Sequence, residues 1–179
     1  MASTASLDGE AGSDGLVTSA GGAPRTGDIE SFPASTAYRQ FYSFNLTKIP
    51  TGVTVTVSML RLYQASVTGT PYGGTLGSLV VDHVNYGPSL DRGDYAAGTL
   101  LSNAGPLSSD DSLGYKTLAV TSRVQDDLVN GRLLTQYRLR FSLSDANLDF
   151  NDDYTQFTDA EDSCCGANHP PQLVITFRR

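Results

Sequence analysis

One stretch, RQFYSFNLTKIPTGVTVTVSMLRLY at residues 39–63, limits most sharply what this chain can become. Its first half alternates, with Tyr42, Phe44 and Leu46 on one face and Phe41, Ser43 and Asn45 on the other, which is the two-residue period of a strand. Pro50-Thr51-Gly52 supplies a turn, because proline fixes the first corner and glycine accepts a positive φ. The second half sets Val53, Val55 and Val57 against Thr54, Thr56 and Ser58, and then the apolar phase flips to Leu60 and Leu62. Such a flip predicts a bulge near Ser58-Met59 or a change of neighbouring sheet. Two long strands with apolar faces need further strands to cover them.

The rest of the chain is built to provide those strands. Its 179 residues suit a single domain, and 18 glycines and 8 prolines favour short strands and tight turns over helices. The net charge of −7 argues against nucleic-acid backbones and anionic membranes as partners, since both demand clustered Lys and Arg. No apolar run approaches the roughly 18 residues of a membrane span. The beginning, MASTASLDGEAGSDG, lacks the basic and apolar parts of an export signal, so Met1 reads as a start placed on a mature or excised domain. The two cysteines, Cys164 and Cys165, are adjacent. Their Cα atoms sit ~3.8 Å apart, so a bond between them closes a strained ring; two thiols, a metal pair and links to another chain are the alternatives.

In chain order, residues 1–37 read as a loose, acidic Gly/Ser-rich leader with an edge strand at 15–19, followed by the domain proper at 38–179. Residues 64–75 form a polar connection, and 76–86 a strand with Val80 and Val84 on one face and Leu79, Val81 and His83 on the other. His83 reads as a partly exposed strand residue satisfied by a neighbour. Residues 87–114 are a long insertion, and Tyr86 just before it and Tyr95 within it offer flat surface to a sugar ring or serve as packing. After a strand at 115–120, Thr121 is a plausible cap for a helix through Asn130, stopped by Gly131. Val120, Val124, Leu128 and Val129 would face the core, and Gln125, Asp126 and Asp127 the solvent.

Residues 137–144, YRLRFSLS, alternate cleanly, with Tyr137, Leu139, Phe141 and Leu143 inward and Arg138, Arg140 and Ser142 outward. The two arginines share a face, where they would grip carboxylates or sulfates, or pair with the chain's own acids. The segment 145–162 is the most acidic, and Asp149, Asp152, Asp153, Asp159 and Glu161 are candidate calcium ligands because that ion takes crowded oxygen donors. A last strand, QLVITF at 172–177, follows Pro170-Pro171. There is no GxSxG elbow, HExxH or phosphate loop, and the pattern CCxxxH from Cys164, Cys165 and His169 lacks a fourth metal ligand. Nothing singles out a catalytic pair of acids, and no enzyme is expected.

Several of these pieces resemble the secreted DNRLRE modules, close to the family-96 carbohydrate-binding modules and disaggregatase-related repeats. The similarity lies in RQFYSFNL at 39–46, IPTGVTV at 49–55 and LRLY at 60–63. It continues through VTSRVQDDLVNG at 120–131, YRLRF at 137–141, FTDAE at 157–161 and PPQLVITF at 170–177. The chain departs from that pattern at Asn45, where the family has Asp, in the long 87–114 loop, and at Cys164-Cys165 in an enlarged final loop. The resemblance implies a jelly-roll-like β-sandwich, secreted or at the cell surface, with Glu161 matching a late glutamate expected to be structural or near an ion. The expectation is an all-β antiparallel sandwich with one short helix that binds polysaccharide or a cell-surface glycan without catalysis, stabilised by calcium. The alternative is a self-associating subunit of an extracellular filament, coat or adhesin, exchanging a strand through its N-terminal segment.

Overall fold

The long second strand of the 39–63 stretch is the spine of the sheet. In the computed structural model, which describes residues 1–19, 23–31, 34–161 and 169–179, the strands are β1 (Gly9–Gly12), β2 (Val17–Ser19), β3 (Arg25–Ser31), β4 (Ala34–Asn45), β5 (Thr54–Thr68), β6 (Leu79–Val84), β7 (Thr99–Ser108), β8 (Gly114–Ala119), β9 (Leu134–Phe141), β10 (Asp153–Phe157) and β11 (Gln172–Arg178). One α-helix, α1 (Thr121–Val129), and short 3-10 turns at Ala5–Leu7 and Asp94–Ala96 complete the architecture. Pairing runs β11-β5-β10-β3-β4-β9-β6-β7, with β8 also on β5 and β1 lying between β2 and β4. Every ladder among the described residues is antiparallel. Gly105 of β7 meets Leu118 of β8, so the eleven-stranded sandwich wraps almost into a barrel. The chain is thus the expected all-β fold with one short helix.

The flip in β5 is a bulge, two residues ahead of the position anticipated. Thr176 of β11 pairs with Val57 but Phe177 with Val55, so Thr56 is extra. Val57 is thereby turned to solvent and Ser58 inward, after which Leu60 and Leu62 alternate into the core. The main core gathers Tyr42 and Phe44 of β4, Leu60 and Leu62, Val124 of α1, and Leu139. A second core on the opposite face of β4 holds Leu7, Ala11, Phe41, Val84, Tyr86 and Leu90. Burial on both faces explains why every residue of β6 is buried.

The described residues among 1–37 do not form a loose leader. β1 pairs with β4, the Met1 amino group donates to the Leu173 carbonyl at 2.7 Å, and the Leu173 amide returns a bond to Met1 at 2.9 Å. What hides this from periodicity is that the segment buries acids, Asp8 and Glu10, beside Leu7 and Ala11. Asp8 accepts from the Ser3 hydroxyl and the Ser43 amide, and Glu10 pairs with Arg25. β3, β7 and β10 were likewise unforeseen, because polar residues occupy their inward positions, as Thr26, Ser108 and Thr155 do.

The helix forms as expected, but Thr121 does not cap it. Its hydroxyl accepts the Ser58 amide at 2.9 Å, and the Val120 amide donates to the Ser58 carbonyl at 2.8 Å, latching α1 to β5. Two assignments on that helix reverse: Val129 is exposed, and Asp127 is buried against His83, with Nε2 and Oδ2 3.0 Å apart. His83 itself is buried rather than partly exposed. Leu143, expected inward, points to solvent because β9 ends at Phe141.

Candidate functional site

Beyond Gln64, β5 loses β8 as a partner and continues with β10 alone until Gly69 breaks the strand. Gly69 has φ +68 and is pressed against the Asp152 carbonyl and the Asp153 carboxylate, leaving no space for a side chain. The chain then forms one wall of a cleft of about 290 Å³, lined by Val67, residues 69–73 and residues 109–111. Buried Gln64 holds both walls. Its amide nitrogen donates to the Asp110 and Ser112 carbonyls at 3.1 Å each, and its oxygen accepts the Tyr72 hydroxyl at 2.7 Å. The Tyr72 ring sits edge-on to Phe141 at 5.6 Å, so it is fixed from behind as well as at its tip.

Charge in the cleft is arranged rather than random. The Lys116 ammonium, aided by the Ser112 hydroxyl and amide, pulls Asp110 down to about 2. That carboxylate therefore stays ionised as an acceptor. Asp111 next to it is exposed. Below the wall at Thr70, whose amide donates to Asp153, lies an acidic corner. Asp28 accepts the Asn147 amide at 2.9 Å and the Asp153 amide at 3.2 Å, Asp153 accepts the Asn147 side-chain amide at 2.8 Å, and Asp152 accepts the Glu30 amide at 2.9 Å. Burial pushes Asp28 up to about 6, the two amides holding it lower and Glu30 and Asp153 adding to the rise.

The residues singled out beforehand fall elsewhere or play other parts. Tyr86 is no sugar platform: its ring lies in the second core, edge-on to Phe41 at 5.4 Å, and its hydroxyl donates to the Leu7 carbonyl at 2.8 Å. Tyr95 has one face covered by the Arg39 guanidinium, 4.3 Å from the ring centre. Arg138 and Arg140 are committed internally, donating to the same Asp82 oxygen at 2.7 and 2.9 Å. The Asn103 amide binds the other Asp82 oxygen at 2.8 Å. Arg138 also donates to the Ala97 carbonyl at 2.8 Å, so this ion cluster pins the 87–108 segment onto the sheet.

The five acids offered for calcium do not form one site. Asp149, Asp152 and Asp153 lie at the start of β10, while Asp159 and Glu161 lie past its end, roughly 20 Å along an extended strand. Among the described residues, the one group of His, Asp or Glu whose ligand atoms all fall within 4.8 Å is His83, Asp126 and Asp127. There Arg132 pairs with both Asp126 and Asp127 and already supplies the positive charge. Among the described residues the five acids are therefore not gathered into one set of carboxylate donors, and no part of the function is routed through calcium. Melting in chelator and in millimolar calcium should accordingly agree within about 1 °C; a rise of several degrees with calcium would refute this. Cys164 and Cys165, and the soft-metal pattern that includes them, lie outside the described residues.

Sequence reasoning passed over Tyr72 and Gln64. An aromatic residue directly after Pro71 in an otherwise Gly-rich connection was a usable signal; a glutamine that holds two loops together leaves none. No family model and no curated protein matches this chain.

Proposed function

We propose that this chain is a non-catalytic module that binds polysaccharide outside the cell or at its surface, using the cleft between residues 69–73 and 109–111. The observation that carries this reading is the cleft itself: one anchored amphipathic ring, Tyr72, beside hydroxyl and carboxylate groups at its rim. Such a combination suits a sugar, whose C–H face packs on rings and whose hydroxyls need fixed acceptors. The motif resemblance to carbohydrate-binding modules supports it. Asp110, held ionised by Lys116, is a fixed acceptor for a sugar hydroxyl.

A polysaccharide panel tests the reading, with soluble polymers embedded in native gels and insoluble ones used for pull-down. Retention on at least one polymer is expected, and Asp111→Ala should weaken it by about tenfold without altering the fold, since a hydrogen bond to a charged group is worth about 1.5–3 kcal/mol. No retention on any polymer would refute it. One observation favours the structural alternative: residues 1–12 already bind as strand additions to β4 and β11, the contacts an exchanged strand would reuse. Large ordered particles that vanish on removal of residues 1–12, with no retention on polymers, would establish that alternative.

A further inference from the structure

The loop that follows β9 exposes what a soluble surface ordinarily hides. Leu143, Leu148 and Phe150 are 76, 69 and 81% exposed. This is not the consequence of a slack loop, because it is tied at several points. Asn147 bonds to Asp28 through its amide and to Asp153 through its side chain. Asp149 accepts the Asn151 amide at 2.9 Å, and Asp152 accepts the Glu30 amide at 2.9 Å. Leu148 and Phe150 moreover hold φ values of +59 and +69, a region that large L side chains rarely occupy. The ring is therefore turned outward by a backbone fixed in an unfavourable conformation and tied from below. Unfavourable backbone combined with exposed apolar surface is the signature of a contact surface rather than of packing.

The surroundings of the ring narrow the partner. Residues 143–153 contain no Lys or Arg; Asp145 is paired with Arg39 and Asp153 is buried, and the exposed Asp149 and Asp152 make the surface around the apolar tip negative. An anionic lipid surface or a sulfated or uronic polymer would be repelled. A neutral sugar chain would not be: its C–H face matches the Phe150 ring, and Asp149 and Asn151 on either side, bonded to each other at 3.2 Å, keep carboxylate and amide oxygens that would accept from its hydroxyls. The loop also adjoins the cleft. Thr70 in the cleft wall bonds to Asp153, and the Leu143 amide donates to the Leu76 carbonyl at 3.1 Å, so residues 69–76 connect the two.

We propose that the 143–152 loop is an aromatic platform, with Phe150 as its contact, that grips the apolar face of a neutral polysaccharide running on from the cleft. This rests on the polysaccharide reading above. The test is affinity electrophoresis of the whole chain in gels carrying neutral polymers (mixed-linkage glucan, galactomannan, xylan) or polyanionic ones (alginate, polygalacturonate), at fixed salt. Wild type should be retarded by a neutral polymer, and Phe150→Ser should lose at least tenfold in affinity while melting no lower than wild type. Phe150→Trp should restore binding. Because the chain has no tryptophan, its fluorescence would also shift to the blue as the ring is covered by sugar. Retardation of Phe150→Ser equal to wild type overturns the platform but leaves the cleft reading standing. Retardation by polyanions alone overturns the selectivity for neutral chains. No retardation of wild type in any gel overturns both readings. A dimer in sedimentation that disappears with Phe150→Ser, without sugar binding, would assign the loop to a second copy instead.

Discussion

Asp82→Ala should lower the melting temperature by on the order of 10 °C, one of the two largest effects expected from a single substitution in this protein. Asp82 is fully buried, and one of its oxygens accepts from both Arg138 and Arg140 while the other accepts the Asn103 amide. Burial works to raise its carboxyl, but the Asn103 amide and the two guanidinium groups outweigh that and leave it below its ordinary value. Its removal strands Arg138, whose side chain is itself buried, with no counter-ion. Breaking a buried pair from one side costs about 3–5 kcal/mol, and each kcal/mol moves the melting point of a domain this size by about 2–4 °C. The paired replacement Asp82→Leu with Arg138→Met should be milder than Asp82→Ala alone, since no buried charge is left uncompensated. Thermal melts of the three proteins decide the matter: a loss below about 1 kcal/mol for Asp82→Ala would mean that water reaches the cluster.

Asp8→Asn should do the opposite at alkaline pH and stabilise the fold. Burial pushes Asp8 up to about 8, with Asp159 and Glu161 adding to the rise and the Ser3 hydroxyl and Ser43 amide working against it. The phenols of Tyr42 and Tyr86, which face the same region, are themselves held neutral by burial. Since its unfolded value is near 3.8, the folded chain holds an extra proton there between about pH 4 and pH 8. Stability therefore falls as pH rises through that window and levels off above about 8. Asp28, raised to about 6, contributes in the same direction over the lower part of the window. Wild type should melt roughly 5–10 °C lower at pH 8.5 than at pH 5.5, a loss of a few kcal/mol by the usual scaling. Asparagine keeps an oxygen for the Ser43 amide and offers its NH₂ to Ser3, so the variant should show a shallower slope and melt above wild type at pH 8.5. Parallel melting curves for the two proteins across pH would sink the assignment.

The apolar alternation of residues 39–63 was enough to reveal most of β4 and β5 and the phase flip within β5, because most inward positions there are aliphatic or aromatic. The YRLRF run of β9 was legible for the same reason. Legibility ended where the inside is polar. Thr155 and Asp28 are buried through partners far away in the chain, and the period-two rule detects only hydrophobicity. The same blindness affected the site. Arg138 and Tyr86 looked like surface groups because their partners, Asp82 and the Leu7 carbonyl, come from distant parts of the chain. Tyr72 and Phe150, which the folded chain does place in a cleft wall and on a loop tip, sit in Gly-rich and Asp-rich runs that carry no periodic signal.

Of the pairings among the described residues, only β1–β2, β3–β4 and β6–β7 join strands that are neighbours in sequence. β4 needs β9, and β5 needs β11, the last strand of the chain, where Met1 also docks. Closing such long loops is slow, because their entropy is lost before any contact repays it. The spine strand consequently spends the growth of the chain with an open, apolar edge, and the sheet closes late and as one event. For a polypeptide emerging from a ribosome or threading through a pore, that wiring postpones folding until the whole domain has been delivered.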